Sequence, residues 1–172
     1  MNAPLPPAGL QPAVFLDRDG VINVDHGYVH RIDDFEFVDG VFDFCSAAHR
    51  KGYLLVVVTN QAGIGRGYYT EAQFHALTAW MREQFLQRGI PLAAVCHCPH
   101  HPEFGIGPYK KDCPRRKPNP GMILDAAREL GIDLACSHLV GDKHSDLEAG
   151  ERAGVKHLHL FDKRLAQPWP SV

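Results

Sequence analysis

Two carboxylates spaced i, i+2, Asp17 and Asp19, close a short apolar run over residues 13–16, and Gly20 follows at once. By itself such a pair reads as the polar end of a strand entering a turn. Three further stretches change its weight. Thr59-Asn60-Gln61 ends the β-prone run 53–58, Gly141-Asp142-Lys143 ends 138–140, and Arg116-Lys117-Pro118 lies in a long irregular segment. If the runs are parallel strands, their carboxyl ends face the same side of an open sheet, and one crevice can collect them. Carboxylates suit Mg²⁺, a cation with hydroxyl or amide donors suits phosphoryl oxygens, and a further carboxylate can act as nucleophile. Together they are the parts of a phosphoryl-transfer site. In that scheme Asp17 attacks phosphorus, and Asp19 protonates the leaving oxygen and then deprotonates the incoming water. Mg²⁺ held by Asp17, Asp142 and the Asp19 backbone carbonyl, with Lys117, compensates the negative charge. Thr59 contacts phosphate, and Arg116 suits a second phosphate of the same substrate.

The elements that must position these groups are legible as alternating strands and helices. Residues 41–50 carry apolar side chains at helical spacing, with Gly52 as the stop. The continuous run 53–58 is expected of a strand covered on both faces. Gly63, Gly65 and Gly67 predict a flexible loop whose backbone can approach a ligand, with Arg66 as its fixed charge. Thr70 and Gln73 form a capping box for a helix whose stripe is Phe74, Leu77, Trp80, Met81 and Phe85. A strand over 93–98, a helix over 119–130, a strand over 138–140, a helix over 145–152 and a last strand over 155–161 complete the set. The expected class is α/β, a doubly wound parallel sheet. Asp146 reads either as a group positioning Lys143 or as an ordinary acid of a first helical turn.

The bulk numbers set the frame. With 172 residues, the chain is long enough for one substantial core. A formal charge of -2 gives no general electrostatic case for nucleic acid or a membrane surface. No apolar stretch approaches the roughly 18 residues that span a bilayer. Residues 1–12 hold four prolines and no signal-peptide pattern, so they are expected to be a flexible arm ahead of a single domain over 13–172. Five cysteines, an odd number, argue against a secreted disulfide framework and for a cytoplasmic protein with a metal site. A monomer is expected.

The motifs Asp17-Arg18-Asp19-Gly20, Thr59-Asn60-Gln61, Arg116-Lys117-Pro118 and Gly141-Asp142 resemble the four motifs of the haloacid dehalogenase superfamily of phosphatases. More narrowly, residues 13–160 resemble the D-glycero-D-manno-heptose 1,7-bisphosphate 7-phosphatases. Residues 23–30, Phe35-Glu36-Phe37, residues 58–67 and Cys98-Pro99-His100-His101-Pro102 carry that likeness. The resemblance implies a Rossmannoid fold without a large cap domain, and short inserts that select a sugar bisphosphate. It draws Asp25, His26 and Tyr28 toward the substrate, alongside Asn60, Gln61, Arg66, Arg116 and Lys143. It also implies a zinc loop over 98–117, Cys-x-His followed by Cys-x-Cys. Cys98, His100 and Cys113 fit it, but Arg115 stands where the last cysteine is expected. A structural zinc site wants four ligands, so Cys96 or His101 must complete it, or the loop is held by packing and hydrogen bonds alone. The competing expectations are a histidinol-phosphate phosphatase and, in another class, a phosphoacceptor signalling module.

Overall fold

The computed structural model describes residues 9–162 and 168–172. Five strands form one parallel sheet: β1 (Ala13–Leu16), β2 (Leu54–Asn60), β3 (Ala94–Cys98), β4 (His138–Gly141) and β5 (His157–Leu160). Their spatial order is β3-β2-β1-β4-β5. The order reverses between β1 and β4, so the ends of these two central strands border the crevice that such a switch creates. Register carries the motifs to a common level, with Leu16 opposite Val57 on β2 and Val140 on β4.

Both faces of the sheet are covered. Val14, Leu16, Leu55, Val57 and Val140 enter one core with α1 (Val41–Arg50) and α3 (Glu71–Leu86). Ala13, Phe15, Val56, Val58 and Leu139 enter the other with α4 (Gly121–Leu130) and α5 (His144–Ala153). Adjacent residues thus feed opposite cores, the signature of a strand with period two. The doubly wound α/β expectation holds.

Several local expectations are corrected. The flexible glycine loop is instead a one-turn helix, α2 (Ala62–Gly65), with Gly63 and Gly65 buried. These glycines serve close packing: a Cβ on Gly63 would lie 2.3 Å from the Tyr69 ring, and one on Gly65 2.3 Å from the Pro99 carbonyl oxygen. Strand β2 runs on through Thr59 and Asn60, because Asn60 still pairs with Cys98 of β3. The inner end of the expected arm belongs to the body. Gln11 exchanges backbone hydrogen bonds with Gly131 and Asp133, and Pro12 accepts one from Leu54. Residues 1–8 lie outside the described residues.

The insert after β1 is small. Asn23 bridges to Asp19 and Phe37, and Val24 and Val38 bond back across the insert to Glu36 and Ile22. It folds over the carboxyl end of β1 as a flap on the core, with Val29, Phe35 and Val38 buried. Among the described residues, no helix is long and apolar enough to cross a membrane.

Candidate active site

Asp17 follows the last residue of β1, and its backbone N–H bonds to Val140 on β4 at 3.1 Å. Lys117 reaches it from the long loop: Nζ lies 2.9 Å from Asp17 Oδ1, 2.6 Å from Asp146 Oδ1 and 2.8 Å from the Val58 carbonyl. Lys117, Asp17 and Asp146 are all buried. Asp146 therefore has a definite role, a second counter-charge for Lys117, while its Oδ2 accepts from the Lys143 backbone N–H at 3.1 Å. Oxygens of Asp17, Asp142 and Asp146 lie within 4.8 Å of one another.

Three carboxylates crowd one buried ammonium, and burial is the first cause of the shifts in their titration. Burial pushes Asp17 well above the usual carboxylate range, and Asp146 and Asp142 reinforce this against Lys117. Burial likewise raises Asp142. For Lys117, burial works against the ammonium, but Asp17 and Asp146 outweigh it and hold the group above its ordinary value. The Asp142 Oδ1 atom is buried without a hydrogen-bond partner. An orphaned carboxylate oxygen beside two more carboxylates is the donor set a hard divalent cation takes, so the residues fit Mg²⁺. Gly20, at φ +92°, makes the approach possible: a Cβ there would lie 2.1 Å from Asp142 Oδ2.

Asp19 is held by three donors. Arg18 Nη2 at 2.9 Å and Asn23 Nδ2 at 3.1 Å reach Oδ1, and Gln61 Nε2 at 3.0 Å reaches Oδ2. The same Gln61 amide donates to Thr59 Oγ1 at 2.9 Å, while its carbonyl accepts from the Tyr69 hydroxyl. Gln61 thus ties the first motif to the second. Asn60 forms a reciprocal pair with Lys117, its amide on the Lys117 carbonyl and its Oδ1 on the Lys117 N–H, both at 3.0 Å. Both amides, expected at the substrate, have their polar ends engaged in aligning the motifs.

The other expected substrate residues separate into groups. Asp25 and Lys143 line a crevice of about 550 Å³ with Gly20 and Asp142. Asp25, Tyr28, Asn60, Gln61 and Arg116 line an adjoining hollow of about 230 Å³ that also holds Asp19. His26 is not brought there: it pairs with Glu36 at 3.0 Å and lines a different hollow, on the flap. Arg66 props the flap, bonding the Tyr28 hydroxyl at 3.0 Å and lying over the Phe104 and Tyr68 rings. Sequence reasoning quoted Arg18 and Asn23 within motifs but gave them no role of their own, and passed over Tyr69. Arg18 is 1% exposed, and a buried arginine between two aspartates is a signal that could have been read.

The thiolate loop is incomplete. Cys98, His100 and Cys113 offer donors within 4.8 Å of one another, with Cys98 Sγ 3.6 Å from His100 Nδ1. Neither proposed fourth ligand joins them. His101 Nδ1 accepts from the N–H groups of Glu103 and Phe104 at 3.1 and 3.0 Å, and Cys96 faces Arg115. Arg115 pairs with Asp125 on α4 at 3.5 Å. The closed four-ligand set of a structural zinc site is not formed by the described residues.

Comparison with known proteins bears on this geometry. A HAD-hydrolase-like family model matches residues 114–159, the segment from the thiolate loop through β5. The D-glycero-beta-D-manno-heptose-1,7-bisphosphate 7-phosphatase of Vibrio cholerae is 57% identical over 145 residues, 84% of this chain and 78% of that protein. The chain belongs to the D-glycero-D-manno-heptose-1,7-bisphosphate 7-phosphatase family. As a member of that family it is a phosphoric monoester hydrolase of the haloacid dehalogenase superfamily. Another relative within the heptose-bisphosphate phosphatases, from Burkholderia mallei, is also 57% identical, over 83% of this chain and 76% of its own length, and carries the alpha name. A crystal structure of D,D-heptose 1,7-bisphosphate phosphatase from B. bronchiseptica, complexed with magnesium and phosphate, superposes with a TM-score of 0.74. It is 33% identical and covers 83% of this chain and 76% of that one.

Proposed function

We propose that this protein removes the 7-phosphate of a D-glycero-D-manno-heptose 1,7-bisphosphate with Mg²⁺ and an aspartyl-phosphate intermediate on Asp17. The observation that carries the chemistry is the meeting of buried Asp17 and Lys117 with the half-buried Asp142, in which one Asp17 oxygen is fixed by Lys117 and an Asp142 oxygen lacks a partner. Asp17, Asp142 and the Asp19 carbonyl would hold Mg²⁺, whose charge offsets that of the phosphoryl oxygens. Lys117 orients Asp17 so that its other oxygen meets phosphorus, and Thr59 at the end of β2 binds a phosphoryl oxygen. Asp19, fixed by Arg18, Asn23 and Gln61, gives a proton to the departing sugar oxygen as the P–O bond breaks. In the second half it takes a proton from the water that hydrolyses the acyl phosphate and frees Asp17. A group needed for both halves must not drift, which accounts for its three donors.

The hollow beside Asp19 sets the substrate reading. Asp25 and Tyr28 can meet sugar hydroxyls, and Arg116 and Lys143 can meet the phosphate that is not cleaved. Relatives of equal identity carry both anomeric names, so both anomers belong in the test. Phosphate release is measured on the two heptose bisphosphate anomers and on histidinol phosphate, with ³¹P NMR of the product. The reading expects kcat/KM for a heptose bisphosphate to exceed that for histidinol phosphate by tenfold or more, about 1.4 kcal/mol, and the anomeric phosphate to remain. A tenfold preference for histidinol phosphate, or loss of the anomeric phosphate first, overturns it.

A further inference from the structure

Outside the crevice, one convergence of donors is used by none of this chemistry. Glu71 opens α3, His75 stands one turn along the same helix face, and His97 reaches the same point from β3, one of the two edge strands of the sheet. His97 projects from the opposite face of that strand to Cys96 and Cys98, which separates this group from the cysteine side chains. The glutamate divides its oxygens between the imidazoles: Oε2 is 4.0 Å from His75 Nε2, and Oε1 is 3.9 Å from His97 Nε2. All three residues bring a ligand atom within 4.8 Å of the others.

These separations are too long for hydrogen bonds. His97 Nε2 is buried and has no hydrogen-bond partner, although a carboxylate lies just beyond reach. Around a tetrahedral ion with bonds near 2.0–2.2 Å, donor atoms stand about 3.3–3.6 Å apart, so a set whose ligand atoms already lie within 4.8 Å of one another needs only side-chain adjustment to close around an ion. Glu71 and His75 have partly exposed side chains that can make that movement. His97 is the fixed member, its ring stacked on Phe74 at 4.2 Å and 28°. Phe74 is itself buried with Ile64 and Tyr69. The positive charge of Arg115, which is felt at His97, is offset by Asp125.

From this geometry we infer that Glu71, His75 and His97 form a binding site for a late first-row divalent cation, Zn²⁺ foremost. Two imidazoles and one carboxylate are the donors such ions take, and a three-residue set at the surface leaves a coordination position for water. The bound ion ties the first turn of α3 to the edge strand β3. This site is independent of the phosphatase reading, and its test does not use turnover.

The whole chain, stripped of metal by chelation, is titrated with Zn²⁺ against a chromophoric competitor and with Co²⁺ by visible absorption. Imidazole resonances are followed by NMR. In Cys113→Ser protein, where the Cys98, His100 and Cys113 trio is broken, one equivalent of Zn²⁺ still binds, and the Co²⁺ spectrum shows d–d bands without a thiolate charge-transfer band. Adding His75→Ala weakens that binding by about tenfold or more. His75 is largely exposed, and circular dichroism verifies its fold. The NMR arm needs no cysteine change: Zn²⁺ shifts the His75 and His97 resonances of the unaltered chain, and His75→Ala removes the His97 shift. Unshifted His75 and His97 resonances at saturating Zn²⁺, or an affinity indifferent to His75→Ala, would mean an ion-pair network only and would overturn the site.

Discussion

The crevice at Asp17 and the loop at Cys98 are neighbours built to different degrees of completion. In the crevice Lys117 is paired with both Asp17 and Asp146, while Asp142 Oδ1 and, beside Asp19, Arg18 Nε and Asn23 Oδ1 are buried without hydrogen-bond partners. In the loop, Cys98, His100 and Cys113 converge, but the expected fourth ligand is an arginine paired with Asp125. The two regions are joined through the chain between them. Cys113 accepts from the Arg116 N–H and the Asn119 side chain, and Asn60 grips Lys117 from the adjacent strand. Hydrogen bonds of this kind can position Lys117 without metal in the loop. What the difference teaches is that the loop carries neutral hydrogen bonds from asparagine side chains and its own backbone, whereas the crevice requires its charges.

If that is right, changes in the crevice should be far more damaging than changes in the loop. Asp17→Asn should lower turnover by about 10⁴-fold or more while the circular dichroism spectrum stays unchanged, since no other carboxylate takes over the nucleophile's position. Lys117→Met leaves Asp17 and Asp146 buried together without their cation. Its expected cost is about 3–5 kcal/mol in denaturant unfolding at neutral pH, besides loss of activity. Gln61→Leu should lower kcat by roughly 10²-fold with a small change in KM, because Asp19 loses one of three donors while the pocket keeps its shape. On the loop side, Arg115→Cys should raise zinc retained after gel filtration by about tenfold or more and change kcat by less than about threefold. Loss of activity in that variant comparable to the Gln61 change would show that the loop and the crevice are not separable.

The smallest expected effect is a control remote from both regions. His138 is buried at the start of β4, with Nδ1 3.0 Å from His159 Nε2. Burial, with His157 and His159 adding to it, lowers its pKa to about 4. A histidine in the unfolded chain titrates near 6.5, so the unfolded state binds more protons between about pH 4 and 6.5. Stability from this group is present above that window and is lost as pH falls through it. His138→Gln should shrink the Tm difference between pH 7 and pH 4 by about 2–4 °C for each kcal/mol removed.

Much of this molecule was legible in the residues. The alternation of apolar runs and helical stripes specified the doubly wound sheet, because a strand covered on both faces leaves few polar positions. The convergence of Asp17 and Asp142 was legible because strand ends in a parallel sheet share one side, whereas Lys117, on the long loop, was drawn to them only by its residue type and motif. The local roles were harder to read. Asn60 and Gln61 have amides that serve a ligand or a neighbouring loop equally well, and only distance distinguishes the two. Gly63 and Gly65 look the same in sequence whether they free a loop or admit the Tyr69 ring and the Pro99 carbonyl. His97 carries no motif at all; its relation to Glu71 and His75 depends on how β3 lies against α3.

The central claim, that Asp17 becomes phosphorylated and Asp19 carries the protons, is tested most directly by trapping. Asp19→Asn protein is mixed with an aryl phosphate, whose leaving group needs no proton, quenched in acid and digested for mass spectrometry. The account predicts a phosphoryl adduct on the peptide containing Asp17, accumulating to a stoichiometric burst while steady-state release is nearly abolished. Undiminished steady-state turnover of the natural substrate in Asp19→Asn, or an adduct on any other residue, would contradict it.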